Sequence, residues 1–225
     1  MDCGKLFDTV QRHLGRHGVA CEVVAGKRVT DKALTKAESK MKVRLPAELR
    51  EFYQTVGDGF VFGWEADPDD LKKPFAGFVV PTLSDLASMY VGWRKMALYS
   101  PEDAEKYGFP HTQDSALAKR TAARMWHWLP LIEEGNGDQI CQDLSDPSCP
   151  VIFNQHDWLD GGSGDNGHLL APTWRGFLTA WGSVCFQFPK DLYWPACFLP
   201  GGGVAGRAAS ARAFRHRMET PLRHA

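Results

Sequence analysis

The chain has 225 residues, 44% of them hydrophobic, with 26 basic and 27 acidic side chains and a net charge of −1. That is enough apolar material for a substantial core without disulfides or metal. No apolar run approaches membrane-spanning length, which excludes a transmembrane helix, and the net charge by itself points to no partner.

In chain order, residues 5–17 read as a helix, with Leu6, Val10 and Leu14 at i, i+4 and i+8. Residues 19–24 suit a short strand. Thr30 is placed to cap a helix running to about Met41, with Leu34, Ala37 and Met41 on its apolar side. Leu45-Pro46 then opens a second helix, because proline's missing N–H has no partner at the first helical position. Leu49, Phe52, Tyr53 and Val56 form its apolar stripe. Gly57 and Gly59 stop it by permitting positive φ. FVFGW begins a strand or a turn, EADPDDLKKP is a polar loop, and residues 75–80 are β-prone. Thr82-Leu83-Ser84-Asp85 has capping-box form with Asp in place of Glu, ahead of a helix through Leu86, Met89, Tyr90 and Trp93.

Residues 99–125 look helical but irregular, as an insertion would. Residues 126–132 suit a strand closed by the turn Glu133-Glu134-Gly135-Asn136-Gly137-Asp138, where Asn-Gly is a hairpin signal. Residues 139–144 return, Asp146-Pro147 turns the chain, and residues 151–153 pair next. The loop GGSGDNG leads to a helix at 173–182, on which Trp174, Phe177, Leu178 and Trp181 share one face. From Gly201 the chain is Gly/Ala/Arg-rich and reads as a mobile tail.

The order of these features resembles the SUKH superfamily (Smi/Knr-type domains). Its hallmark is an acidic residue on a helix, then Leu-Pro, then a helix ending in an Asn/Asp-Gly turn. Glu38, Leu45-Pro46 and Gly57-Asp58-Gly59 follow that order. A second block matches through Gly137-Asp138, Val151-Ile152-Phe153 and His156-Asp157, and the final aromatic helix completes it. The likeness covers roughly residues 30–181. It implies one α+β domain over residues 1–199, with a mixed or antiparallel sheet of five or six strands packed by helices. Residues 200–225 would be a flexible basic tail.

Charge is unevenly placed. After Gly203 the chain carries Arg207, Arg212, Arg215, Arg217 and Arg223 against Glu219 alone, leaving 21 basic and 26 acidic residues before it, a net of −5. The body is mildly acidic and the tail basic. Six cysteines include no CxxC pair, and the N-terminal MDCGKLFDTV has no signal-peptide hydrophobic region. A reduced cytoplasmic protein is the expectation.

Groups with catalytic or ligating chemistry are present but poorly arranged. Cys141, Cys149, His156 and His168 are zinc-ligand types, yet 7, 6 and 11 intervening residues match no standard knuckle. The loop from Asp157 to Asn166 lacks the ligand spacing of an EF-hand. Ser163 sits in GGSGD, outside any nucleophile motif. His156 and Asp157 are adjacent, so on a strand they point to opposite faces. No phosphate loop occurs. No cofactor, metal or catalytic residue is expected; the basic tail has the charge to attract nucleic acid or anionic lipid, but a solvated extension is the expectation, with no membrane partner and nucleic acid disfavoured.

What remains is surface. Acidic residues gather in three predicted loops: Glu65, Asp67, Asp69 and Asp70; Glu133, Glu134 and Asp138; Asp157, Asp160 and Asp165. Trp64 and Trp158 stand beside two of them. Trp64, Glu65, Asp67, Asp69, Asp70, Asp138, Asp157 and Trp158 therefore form the expected partner-binding set, suited to a basic protein. The family likeness implies an immunity protein that binds and neutralises a cognate bacterial toxin. A regulatory scaffold of the cell-wall type is the alternative. A metal-dependent hydrolase using His156, Asp157, Asp160 and His168 is the rival class, and convergence of those four side chains would favour it.

Overall fold

A computed structural model describes residues 3–65, 75–95, 123–133, 137–155, 166–183, 185 and 186. The expected tail, most of the expected 99–125 helical insertion and His156 lie outside these residues.

Periodicity builds the first half. Helix α1, Cys3–Arg16, buries Leu6, Phe7, Val10 and Leu14. Strand β1, Cys21–Ala25, pairs antiparallel with β2, Phe60–Glu65, and β2 pairs antiparallel with β3, Phe75–Val80. Between β1 and β2 run α2, Asp31–Met41, and α3, Ala47–Thr55. Thr30 caps α2 by accepting from the Ala33 N–H. Pro46 lies one residue outside α3 rather than in its first position, and its carbonyl accepts from the Arg50 N–H at 3.0 Å. After β3 comes α4, Leu83–Trp93. Its capping box forms with a difference. The Thr82 hydroxyl accepts from the Asp85 N–H at 3.1 Å and donates to the Asp85 carboxylate at 2.7 Å. In the usual box a Glu reaches back to the backbone N–H of the cap.

The second half is a meander. β4, Trp128–Glu133, β5, Gln139–Asp143, β6, Val151–Asn154, and β7, Leu169–Ala171, pair antiparallel in that order. Helix α5, Trp174–Gly182, follows, capped by Thr173 on the Gly176 N–H. The class is α+β, as expected, with antiparallel pairing throughout. The strands fall into ladders of three and four, not one sheet of five or six. β3 and β4 approach each other without forming a ladder.

The main core is aromatic. Phe7 centres it, with ring centroids 4.2 Å from Phe60 and 5.2 Å from Phe186. Phe78 lies 4.7 Å from Trp181, and Phe52 meets Trp174 edge-on at 6.0 Å. Helices α1, α3 and α5 are thereby fastened to the inner face of the first sheet. A second, smaller cluster of Trp93, Met125, Trp128, Cys141 and Ile152 covers the other face of the second sheet.

Candidate functional site

The acidic motif residues turn inward, onto backbone and charge. Glu38 on α2 accepts from the Leu45 N–H at 2.9 Å and from Arg50 at 2.6 Å. Arg50 also reaches Asp31 at 3.1 Å, and the hydrogen bond it donates to Glu38 raises its pKa. A carboxylate here satisfies an otherwise orphaned N–H in the α2–α3 link and ties the two helices together. Asp58 accepts from the Leu83 N–H at 2.6 Å, so the Gly-Asp-Gly turn caps α4 from outside that helix. The turn is tight. A Cβ on Gly57 would collide with the Gly26 carbonyl, and Gly59 has φ +76°. Tyr53 is wholly buried and donates to the Pro81 carbonyl at 2.9 Å. Burial, then the charges of Asp58 and Asp85, push its hydroxyl pKa well above the usual range. These groups hold architecture; none is poised to act on a substrate.

The second sheet treats polar groups in the same way. Asp143 is fully buried and accepts from Arg124 Nε and Nη2 at 3.1 and 2.8 Å. Ser145 supplies its N–H and hydroxyl to the other carboxylate oxygen. A buried charge is tolerated only with such complete pairing. Asn154 donates to Gln139 at 3.0 Å on the neighbouring strand.

Of the zinc-type residues, Cys141 is a small core residue whose thiol pKa is driven far up by burial. Cys149 sits in the β5–β6 turn at φ 49°. His168 lies just before β7, where its carbonyl accepts from the Phe153 N–H. Among the described residues, no three His, Cys, Asp or Glu side chains come together as a metal site. The described cysteines are all free thiols.

The expected partner-binding residues divide. Trp64 is 4% exposed and its ring N–H donates to the Cys185 carbonyl at 2.8 Å, pinning the segment after α5 to the first sheet. It is an internal anchor and presents no surface to a partner. The sequence carried the signal: read as a strand, F-V-F-G-W-E puts positions 60, 62 and 64 on one face. Asp138 is buried at the start of β5. Glu65 is exposed. Asp67, Asp69, Asp70, Asp157 and Trp158 lie outside the described residues.

No sequence motif marks the outer face of the first sheet. Register aligns Val24, Val61 and Val79 in one row, Glu22, Gly63 and Gly77 in the next, and Glu65 with Phe75 in the third. Val24 is 50% and Val79 52% exposed. A Cβ on Gly77 would meet nothing within 4 Å, and on Gly63 its nearest neighbour would be the Ala76 carbonyl at 3.5 Å. The result is an apolar strip that, among the described residues, nothing covers at Gly77, with exposed carboxylates at Glu22 and Glu65. A separate groove of about 380 Å³ lies where the start of α3 meets the β5–β6 turn, bordered by Arg44, Pro46, Arg50, Gln54 and Cys149. Its central cation, Arg50, is already shared by two carboxylates.

Among the described residues no helix is long and apolar enough to cross a membrane. The model of the SMI1 / KNR4 family (SUKH-1) matches residues 28–180, nearly the stretch on which the motif order was read. Among curated proteins, none matches the chain.

Proposed function

The chain belongs to the SMI1 / KNR4 family (SUKH-1), and on that premise we propose that it is a non-enzymatic, protein-binding immunity protein. It binds the toxin domain of a bacterial polymorphic toxin in the cytoplasm and neutralises it by stoichiometric occlusion. One observation carries the reading: Glu38 and Asp58, the motif's acidic groups, are engaged in internal hydrogen bonds. The motif thus builds a scaffold, and recognition falls to the surface it supports.

The partner is basic. Glu65 is followed in the sequence by Asp67, Asp69 and Asp70, in a body of net charge −5 before the tail. These carboxylates, with Asp157 in a second acidic loop, steer a cationic domain toward the protein.

The test is co-expression with the C-terminal domain encoded by the gene immediately upstream. Restored growth and a purified complex of fixed stoichiometry are expected. Toxicity undiminished by the protein, or no complex, contradicts the proposal. Changing Asp67, Asp69 and Asp70 to Lys is expected to slow association at low salt, with the loss shrinking as salt rises. Salt-independent, parent-like association would remove those residues from the encounter.

A further inference from the structure

We infer that the open outer face of the first sheet is the seat for this partner, and that it takes a basic surface carrying an exposed aromatic ring. The inference rests on the immunity reading and names the surface and the chemistry that reading leaves open.

The valine row is the first ground. Val24 and Val79 are about half exposed although they pair, through Val61, across three adjacent strands. Three β-branched side chains in register make a contiguous apolar strip, whereas apolar surface residues scattered singly need no account. The inner face of the same strands is filled by Phe60, Phe62, Trp64, Ala76, Phe78 and Val80. The strip is therefore surplus to the core.

Shape is the second ground. Gly63 and Gly77 lie opposite each other in the middle of β2 and β3, and neither has positive φ. Backbone conformation does not call for glycine there, and glycine weakens a strand interior. Their effect is to lower the floor beside the valines, with nothing within 4 Å of a Cβ on Gly77 among the described residues. A planar ring laid on such a floor contacts two backbones at once, in the way that aromatic side chains cover glycines within sheets.

Charge selects the occupant. Glu22 ends the glycine row and Glu65 stands in the next, both exposed. Lys or Arg flanking the ring would meet Glu22 and Glu65. A second copy of the chain would bring like charges together at the same rim, which disfavours self-association.

The experiment measures affinity of the full chain for the C-terminal domain encoded by the adjacent upstream gene, by surface plasmon resonance. Gly77→Arg fills the floor and opposes the rim charge; a Val24→Lys/Val79→Lys double variant breaks the strip. Circular dichroism melts accompany both, and the open space above Gly77 predicts parent-like folding. Each variant is expected to lose about tenfold or more in affinity, as removal of a central contact does. Parent-like affinity in both folded variants overturns this inference and leaves the immunity reading standing. A parent that does not bind overturns both. A parent dimer that Gly77→Arg converts to monomer overturns it too, by making a second copy the occupant. So does a parent whose affinity for the domain rises on deletion of residues 204–225, which makes the basic tail the occupant.

Discussion

The two sheets use the same antiparallel pairing for opposite ends. The first is buried on one face and open on the other; β2 reads buried, half-buried, buried along its length. The second is buried on both, and β6 has no exposed position. One-sided burial gives alternation, and two-sided burial gives continuous apolar runs such as V-I-F. The second sheet therefore needs its own cluster around Trp128 and a fully paired Asp143. The first keeps a surface to offer. Two-sided burial leaves the second sheet little free surface, while one-sided burial leaves the first sheet an exposed face.

Aromatic truncations in the shared core should have the largest effect. Trp181→Ala and Phe52→Ala each remove a fully buried ring, and each should cost about 3–5 kcal/mol in denaturant unfolding. Near-parent stability in either would break the account of the core.

The sharpest contrast pairs the outer faces of the two sheets. Ile152→Ala, within the second cluster, should cost about 2–4 kcal/mol. Val79→Ala, on the open face, should change stability by no more than about 0.5 kcal/mol. Equal losses would erase the distinction between the sheets.

Caps come next. Asp58→Ala leaves the Leu83 N–H without its acceptor, and should cost about 1–2 kcal/mol. Thr173→Ala removes the acceptor for the Gly176 N–H and should cost about 1 kcal/mol. Thermal melts of the two variants rank them.

Much of this was legible where the cause is local. Thr30 and Thr82 cap the helices that follow them, because a hydroxyl beside the free N–H groups of a helix start acts without the rest of the fold; Thr173, expected inside the last helix, is its cap instead. The stripes of Leu49, Phe52 and Tyr53, and of Trp174, Phe177 and Trp181, fix which sides of α3 and α5 are buried. Pairing was less legible, since hydrogen bonds between strands depend on chain far away. The three-residue β7 and the division into two ladders follow from such pairing. Phe7 was passed over because the i, i+4 pattern of Leu6, Val10 and Leu14 leaves it out, yet it contacts five other phenyl rings.

At the site the lesson is narrower. Acidic residues point to loops, and adjacency alone groups Trp64 with them. Strand alternation turns Trp64 inward and turns its neighbours Gly63 and Glu65 outward. The open face needed the register of three strands, which no single segment contains.

The most direct test is a methyl-labelled nuclear magnetic resonance titration with the C-terminal domain encoded by the adjacent upstream gene. The account predicts that the methyl signals of Val24, Val61 and Val79 shift or broaden in proportion to the partner added, while those of Ile140, Val151 and Ile152 hold their positions. Perturbation confined to the second sheet, or saturation of binding with the three valines unmoved, would contradict it.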